Sequence, residues 1–377
     1  YNPIRRKDLV KNRRNTVLNQ IYKNKYITKK ERDSLQALDM NINFNPESHK
    51  EGLATYFRTY LKENFLEEWL DNNPKPEGGR YNLYLDGLKI YTTIDSRMQR
   101  YAEEAVAEHM KRLQAEFFVQ NTPERNKTAP FLDLTAEEIK QTYEQAVKRS
   151  GRWRSMKKQG IPENEIRASF EKEIEMTVFD WEGERDTVMT PMDSIKYYKY
   201  FFRSGMMSME PQTGFVKAWV GGINYKHFQY DHVRQGARQS GSTFKPFVYA
   251  TAIDQLHLSP CDSLPDSMHC IEANKYGNVK PWCPKNSDGK YSERMRTLKD
   301  ALANSINTIT ARLIDQVGPQ HVVEMAKRLG ISAEIPPAPS IALGTADISV
   351  YEMVGAYGTF VNEGVYVKPV TVMRIED

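Results

Sequence analysis

The sequence predicts an α/β fold, a sheet flanked by helices, with helical regions ahead of it at the N-terminus. Three observations lead there. Gly205 to Gly221 reads as two short apolar strands joined by a Pro-x-x-Gly turn at Pro211 to Gly214. After it come apolar runs at helical spacing over 243–256, 298–304, 308–317, 319–329 and 350–362. Ahead of it, residues 1–45 and 111–194 combine dense charge with helical patterning. At 377 residues the chain has room for two or three domains, each with its own core.

The elements follow in order. In residues 1–45, Leu9, Val17, Leu18, Ile21 and Tyr22 recur at helical spacing, and Thr28 with Glu31 forms a capping-box pattern. Residues 46–110 read as a connecting region. A helix begins at Gly52 to Phe57 and runs to Leu70, and Asn72 to Gly79 breaks it with turn residues. Tyr84 to Asp95 reads as a hairpin around Asp86-Gly87. From Ser96 a further helix starts, with Ala105, Val106 and Met110 on one face. Residues 111–194 read as a helix-rich insertion, with a helix over 132–147 capped at Thr135 and with Trp153 and Trp181 as packing residues. The strands and helices of the opening paragraph occupy residues 195–377.

Composition narrows the function classes. A net charge of +4 is compatible with an anionic polymer or membrane surface and gives no argument for nucleic acid. No run of 18 apolar residues crosses a bilayer, and no signal peptide is visible. The three cysteines, Cys261, Cys270 and Cys283, lie close together. Their one local partner for a metal is His269, and adjacent residues rarely ligate one zinc together, so no metal or other cofactor is expected. A Cys270–Cys283 disulfide and buried free thiols both remain compatible with the pattern.

Two motifs carry chemistry. Ser242 and Lys245 stand three apart where a glycine turn gives way to a helix, which puts them on one face. A serine hydroxyl needs a neighbouring base, and a desolvated lysine can be that base. Downstream, Ser305 and Asn307 form a Ser-x-Asn after an apolar helical run.

Ser-x-x-Lys followed by Ser-x-Asn resembles the site of penicillin-binding proteins and serine β-lactamases. The flanks, Gly214 to Gly222, Arg238 to Phe247, Ala301 to Asn307, Leu343-Gly344 and Ala356 to Asn362, resemble the transpeptidase domain of a class A (bifunctional) penicillin-binding protein. Residues 1–45 resemble the C-terminal tail of that family's glycosyltransferase domain, so 195–377 would be the N-terminal part of the transpeptidase domain. The family's third element, Lys-Thr/Ser-Gly, does not occur after Asn307. The expectation is therefore a domain truncated at its C-terminus.

The resemblance implies a D,D-transpeptidase that cross-links peptidoglycan stem peptides ending in D-Ala-D-Ala, and β-lactam antibiotics as ligands. Ser242 would be the nucleophile, Lys245 its base, Ser305 a proton relay and Asn307 a holder of the donor peptide. It also implies cell-wall synthesis partners and a place on the extracytoplasmic face of the bacterial inner membrane (the periplasm), anchored by a segment not in this chain. Glycan polymerisation would belong to a domain mostly absent here. A serine β-lactamase, a D,D-carboxypeptidase and a non-catalytic scaffold are the alternatives. Against a class A lactamase, Ile306 stands where Asp is usual. The histidines, His227 and His232 included, are expected to be structural.

Overall fold

The structure is a computed structural model that describes residues 6–40, 42, 51–122 and 124–377. The chain divides into two compact units, Tyr1–His49 and Lys50–Asp377. The expected boundary between residues 45 and 46 lies outside the described residues.

In the first unit, helices Lys7–Lys23 and Lys29–Ala37 pack side by side. Thr28 and Glu31 make the expected capping box, each satisfying an amide that the helix start leaves without a partner. Arg14 and Gln36 tie the helices together, Arg14 donating to the carbonyls of Gln36 and Leu38. No residue of either helix is buried, and Leu9, Val17 and Tyr22 lie exposed.

The second unit opens with a continuous helical stretch over Thr55–Asn72 whose middle, Leu61–Leu66, widens to π geometry. Tyr56, Phe57, Leu61 and Leu66 pack against Met207, Val216 and Trp219. The hairpin expected around Asp86-Gly87 does not form. The Asp86 carboxylate is held by Lys75 at 2.7 Å and by the Asn82 amide at 2.7 Å, which closes a local turn. Strand Lys89–Thr92 pairs instead with the distant Val372–Glu376.

Helix Ser96–Gln120 starts on the Asp95 side chain and runs through the expected boundary between residues 110 and 111. Its inner face is Gln99, Ala102, Met110 and Gln114, and Ala105 is exposed. The Gln99 amide exchanges two hydrogen bonds with the Trp219 backbone, at 2.7 and 2.8 Å, and so covers the edge of strand Val216–Val220. Thr135 caps helix Ala136–Arg149 as expected. Around Val147, Trp153, Ile166 and Phe170 the 111–194 region builds its own small core. This region also contains an antiparallel hairpin, Ile174–Asp180 with Gly183–Met189, that the helix-rich expectation lacks.

Strands Met206–Met209 and Val216–Val220 pair antiparallel. The fold is α/β as expected, with helices packed around small sheets, and among the described residues the strands form five two-stranded antiparallel pairs. Backbone bonds stitch two of these pairs, because the Val370 carbonyl accepts from Val216 and the Thr371 carbonyl from Thr93. Helices Lys245–Leu256, Asn307–Val317 and Pro319–Arg328 form the main core, with Phe244, Phe247, Val248, Ile309, Leu313 and Val322 fully enclosed. Their observed ends lie within about two residues of the sequence expectation.

Candidate active site

Ser242 stands at the exit of a clamped turn. Strand Ala237–Gln239 pairs with Asp347–Ser349, and the pairing continues as Ser240 N–H to Ala346 O and Gly241 N–H to Gly344 O, at 3.0 and 2.9 Å. Gly344 has φ +73°, and a Cβ there would sit 1.9 Å from the Gly241 oxygen, so only glycine fits. Gly241–Phe244 then forms a 3-10 turn that passes into helix Lys245–Leu256, with Pro246 in the first turn. Phe244 and Phe247 anchor this start in the core and leave Ser242 exposed above it. Tyr357 donates to the Thr243 carbonyl at 2.6 Å from the facing helix Val350–Val361.

The Ser-x-Asn lies between helices Leu298–Ala303 and Asn307–Val317. Ser305 N–H bonds to Leu302 O and Ile306 N–H to Ala301 O, the reciprocal pattern that ends a helix with a left-handed residue. Ser305 has φ +56°, where glycine is the usual occupant. A serine held in this conformation places its hydroxyl and carbonyl together toward Lys245.

Lys245 is 1% exposed. Its ammonium donates to Ser305 O at 2.7 Å, Ser305 Oγ at 3.0 Å and Asn307 Oδ1 at 2.6 Å. Burial without a carboxylate partner pushes its pKa down to about 8. Once the amine is neutral it has two N–H groups and one lone pair. The two carbonyl oxygens can only accept and take both N–H groups. The lone pair is then left for a hydroxyl, that of Ser305 or of an approaching Ser242.

The structure thus brings Lys245, Ser305 and Asn307 into contact. It leaves Ser242 out of that network, since none of the hydrogen bonds among the described residues joins Ser242 to Lys245. The physical reason is competition. Two carbonyl oxygens and the half-buried Ser305 hydroxyl draw the ammonium inward, away from an exposed hydroxyl. Asn307 is engaged at both ends, because its Nδ2 donates to Lys285 O at 2.7 Å. A single lone pair on Oδ1 remains for any further donor.

Two supporting groups were not found by sequence reasoning. Asn286 Oδ1 accepts the amides of Asn307 and Thr308, and Asp266 holds Asn286 in turn. Gly344 entered only as part of a family resemblance. No spacing rule links residues 20 or 100 positions apart, so only the folded chain reveals these contacts.

The remaining candidates have local roles. His227 bonds Glu184 and Tyr198, and burial pushes the His232 pKa down to about 4. Cys270 and Cys283 form a disulfide, and Cys261 is free and exposed. His269 faces Asp315 and Arg312. Among the described residues no three His, Cys, Asp or Glu side chains group as a metal site would require.

Comparison with known proteins gives the family. The penicillin-binding protein middle domain matches residues 126–202, and the penicillin binding protein transpeptidase domain matches residues 204–377. Penicillin-binding protein 1A of Aquifex aeolicus is 28% identical over 397 residues, covering all of this chain and 49% of that protein. Its counterpart from Vibrio cholerae is 26% identical over 420 residues, with all of this chain and 48% of that protein covered. The chain therefore spans about half the length of the curated relatives it matches. The crystal structure of penicillin-binding protein 1A from Haemophilus influenzae shares the fold, with a TM-score of 0.63 at 21% identity, over all of this chain and 56% of that one. Two domain matches of one family cover most of the chain, and the chain belongs to the penicillin-binding proteins.

Proposed function

We propose that this chain carries the acyl-serine centre of a peptidoglycan D,D-transpeptidase. The observation that supports it most is Lys245, buried without a counter-charge and pushed down to about 8, with only neutral oxygens around its nitrogen. A lysine in that setting is a base near neutral pH. The Ser242 amide, second in its 3-10 turn, has no acceptor within the turn and is free to stabilise an oxyanion.

In this reading Ser242 Oγ attacks the carbonyl between the two D-alanines of a stem peptide, and its proton passes to Lys245 Nζ. The tetrahedral intermediate collapses, the terminal D-alanine leaves, and its nitrogen receives the proton through Ser305 Oγ. The amine of a second stem then attacks the ester, loses its proton by the same route, and the cross-link forms as Ser242 is regenerated. Asn307 holds the lysine and has one lone pair left for a donor amide.

A β-lactam enters as a mimic of the donor and leaves an ester on Ser242. The same reading makes residues 1–45 a glycosyltransferase tail, 46–110 a linker, 111–194 an insertion and 195–377 transpeptidase, in a protein acting at the extracytoplasmic face of the membrane. No helix of the described residues is long and apolar enough to cross one.

The test is incubation with a fluorescent penicillin, denaturing electrophoresis and mass spectrometry of the labelled peptide. Stable label on the Ser242 peptide is the expected result. Transient label would mean a lactamase, and label on Ser240 or Ser305 would refute the assignment.

A further inference from the structure

Helix Asn307–Val317 begins without a cap of its own. Its N-cap is Ile306, which has no side-chain acceptor, so the first amides need a partner from elsewhere. Asn286 supplies one from a loop twenty residues upstream. Its Oδ1 accepts the N–H of Asn307 at 3.0 Å and of Thr308 at 3.3 Å. The neighbouring Lys285 carbonyl accepts Asn307 Nδ2 at 2.7 Å. That bond fixes which way the Asn307 amide faces. With its NH2 committed to a carbonyl, only Oδ1 can point at Lys245, and it does so at 2.6 Å.

The loop is held by one carboxylate. Asp266 is 2% exposed and makes no ion pair among the described residues. Its Oδ1 accepts from Asn286 Nδ2 at 2.8 Å and Thr308 Oγ1 at 2.7 Å, and its Oδ2 from the Ser292 amide at 3.0 Å. Burial pushes this carboxyl up, but the bonds from Thr308, Ser292 and Asn286 outweigh it and hold it at about 2. It stays ionised across the working range and acts only as an acceptor.

The geometry points to Asp266 and Asn286 as positioning residues for the acylation centre: through Lys285 and the start of helix Asn307–Val317 they set the Asn307 amide with its oxygen on Lys245. This assignment rests on the acyl-serine reading above and gives it a device for orienting the base. The charge-assisted bond that Lys245 donates to Asn307 Oδ1 stabilises the protonated lysine. Loosening Asn307 therefore lowers the pH at which Lys245 becomes neutral, an effect that general destabilisation of the fold does not produce. No charged group lies among the partners of Lys245, and the Asp266 carboxylate reaches it only through Asn286 and Asn307.

The experiment uses the full 377-residue chain with Asn286→Ala and Asp266→Asn. Asp266→Asn keeps the shape but turns an NH2 against the Ser292 N–H or against its two other donors. Second-order acylation rates with one fluorescent penicillin are measured from pH 6 to 10, beside circular dichroism melts. The expected result is a wild-type midpoint near 8, lowered by about one unit in both variants, with the plateau rate reduced about tenfold. Folded variants that keep the wild-type midpoint and plateau overturn the assignment alone. If both variants fail to fold, the network is a folding element and the positioning role is equally overturned. A wild-type chain that takes no label refutes the acyl-serine reading and this assignment with it.

Discussion

If Lys245 is the base, acylation tracks its neutral form, and pH is the perturbation that reads it. The ordinary lysine value of 10.5 is pushed down to about 8 by desolvation. At pH 7 a lysine at 10.5 is about 0.03% neutral and one at 8 is about 10% neutral, a gain of roughly 300-fold. That factor corresponds to about 3 kcal/mol of differential solvation. The acylation rate is expected to rise about tenfold between pH 6 and 7, bend, and level off above about 9 with a midpoint near 8. Other groups near the turn titrate outside this window. Asp266 is held at about 2, His232 at about 4, and burial raises Tyr357 above its usual range. The assay is a stopped-flow or gel-based second-order rate with a β-lactam, run on protein shown to be folded at each pH. A flat profile from 6 to 9 would refute the reasoning, and so would a rate that falls as pH rises, because Lys245 would then act as a charged group. The linkage to stability has a fixed sign. The folded value lies below the unfolded one, so the unfolded chain binds more protons between about 8 and 10.5, and the buried lysine's penalty is relieved as pH climbs through that window.

Lys245→Arg keeps the charge but cannot deprotonate, and acylation is expected to fall by more than about 10²-fold; a tenth of the parent rate would rule out the base. Ser305→Gly suits the left-handed backbone and removes the hydroxyl, so stability stays within about 1 kcal/mol while acylation drops about 10²-fold; an unchanged rate would exclude the relay. Gly344→Ala forces a Cβ onto the Gly241 oxygen and is expected to cost about 2–5 kcal/mol in denaturant unfolding, with labelling at Ser242 lost; a wild-type melt would mean the two turns are not clamped. Cys270→Ser with Cys283→Ser opens an exposed 13-residue link and should lower the unfolding free energy by about 3 kcal/mol relative to the oxidised wild type, and the reduced wild type should match the variant.

Local chemistry made much of this fold legible. Thr28 with Glu31 and Thr135 cap helices as read, because those bonds are closed within four residues of chain. The turn at Asp86-Gly87 misled for the opposite reason. A two-residue hairpin signal assumes that the next strand pairs with the previous one, and here Lys75 captured Asp86 while the partner strand lay near the end of the chain. The hairpin Ile174–Met189 escaped because Glu184, Arg185 and Asp186 remove apolar alternation from its second strand, although Ile174, Met176 and Val178 of the first alternate with Glu175 and Thr177 and were a readable signal.

The candidate site divides along the same line. Ser242, Lys245, Ser305 and Asn307 were legible as candidates because each pair sits within one or two turns, and the structure joins Lys245 to Ser305 and Asn307 while Ser242 stays outside that network. The parts that hold them were not. Asp266, Asn286 and Gly344 reach the site across separations of 20 to about 100 residues, through single hydrogen bonds with no periodicity to betray them. A buried carboxylate without a cation is unstable unless several donors converge on it, so its position in the fold is itself a constraint. Asp266 satisfies that constraint only when Asn286, Ser292 and Thr308 are all in place, which is also when Asn307 faces Lys245. The orientation of the Asn307 amide toward Lys245 and the folding of the 285–292 loop are therefore one structural requirement, and it is met by contacts that a linear reading does not contain.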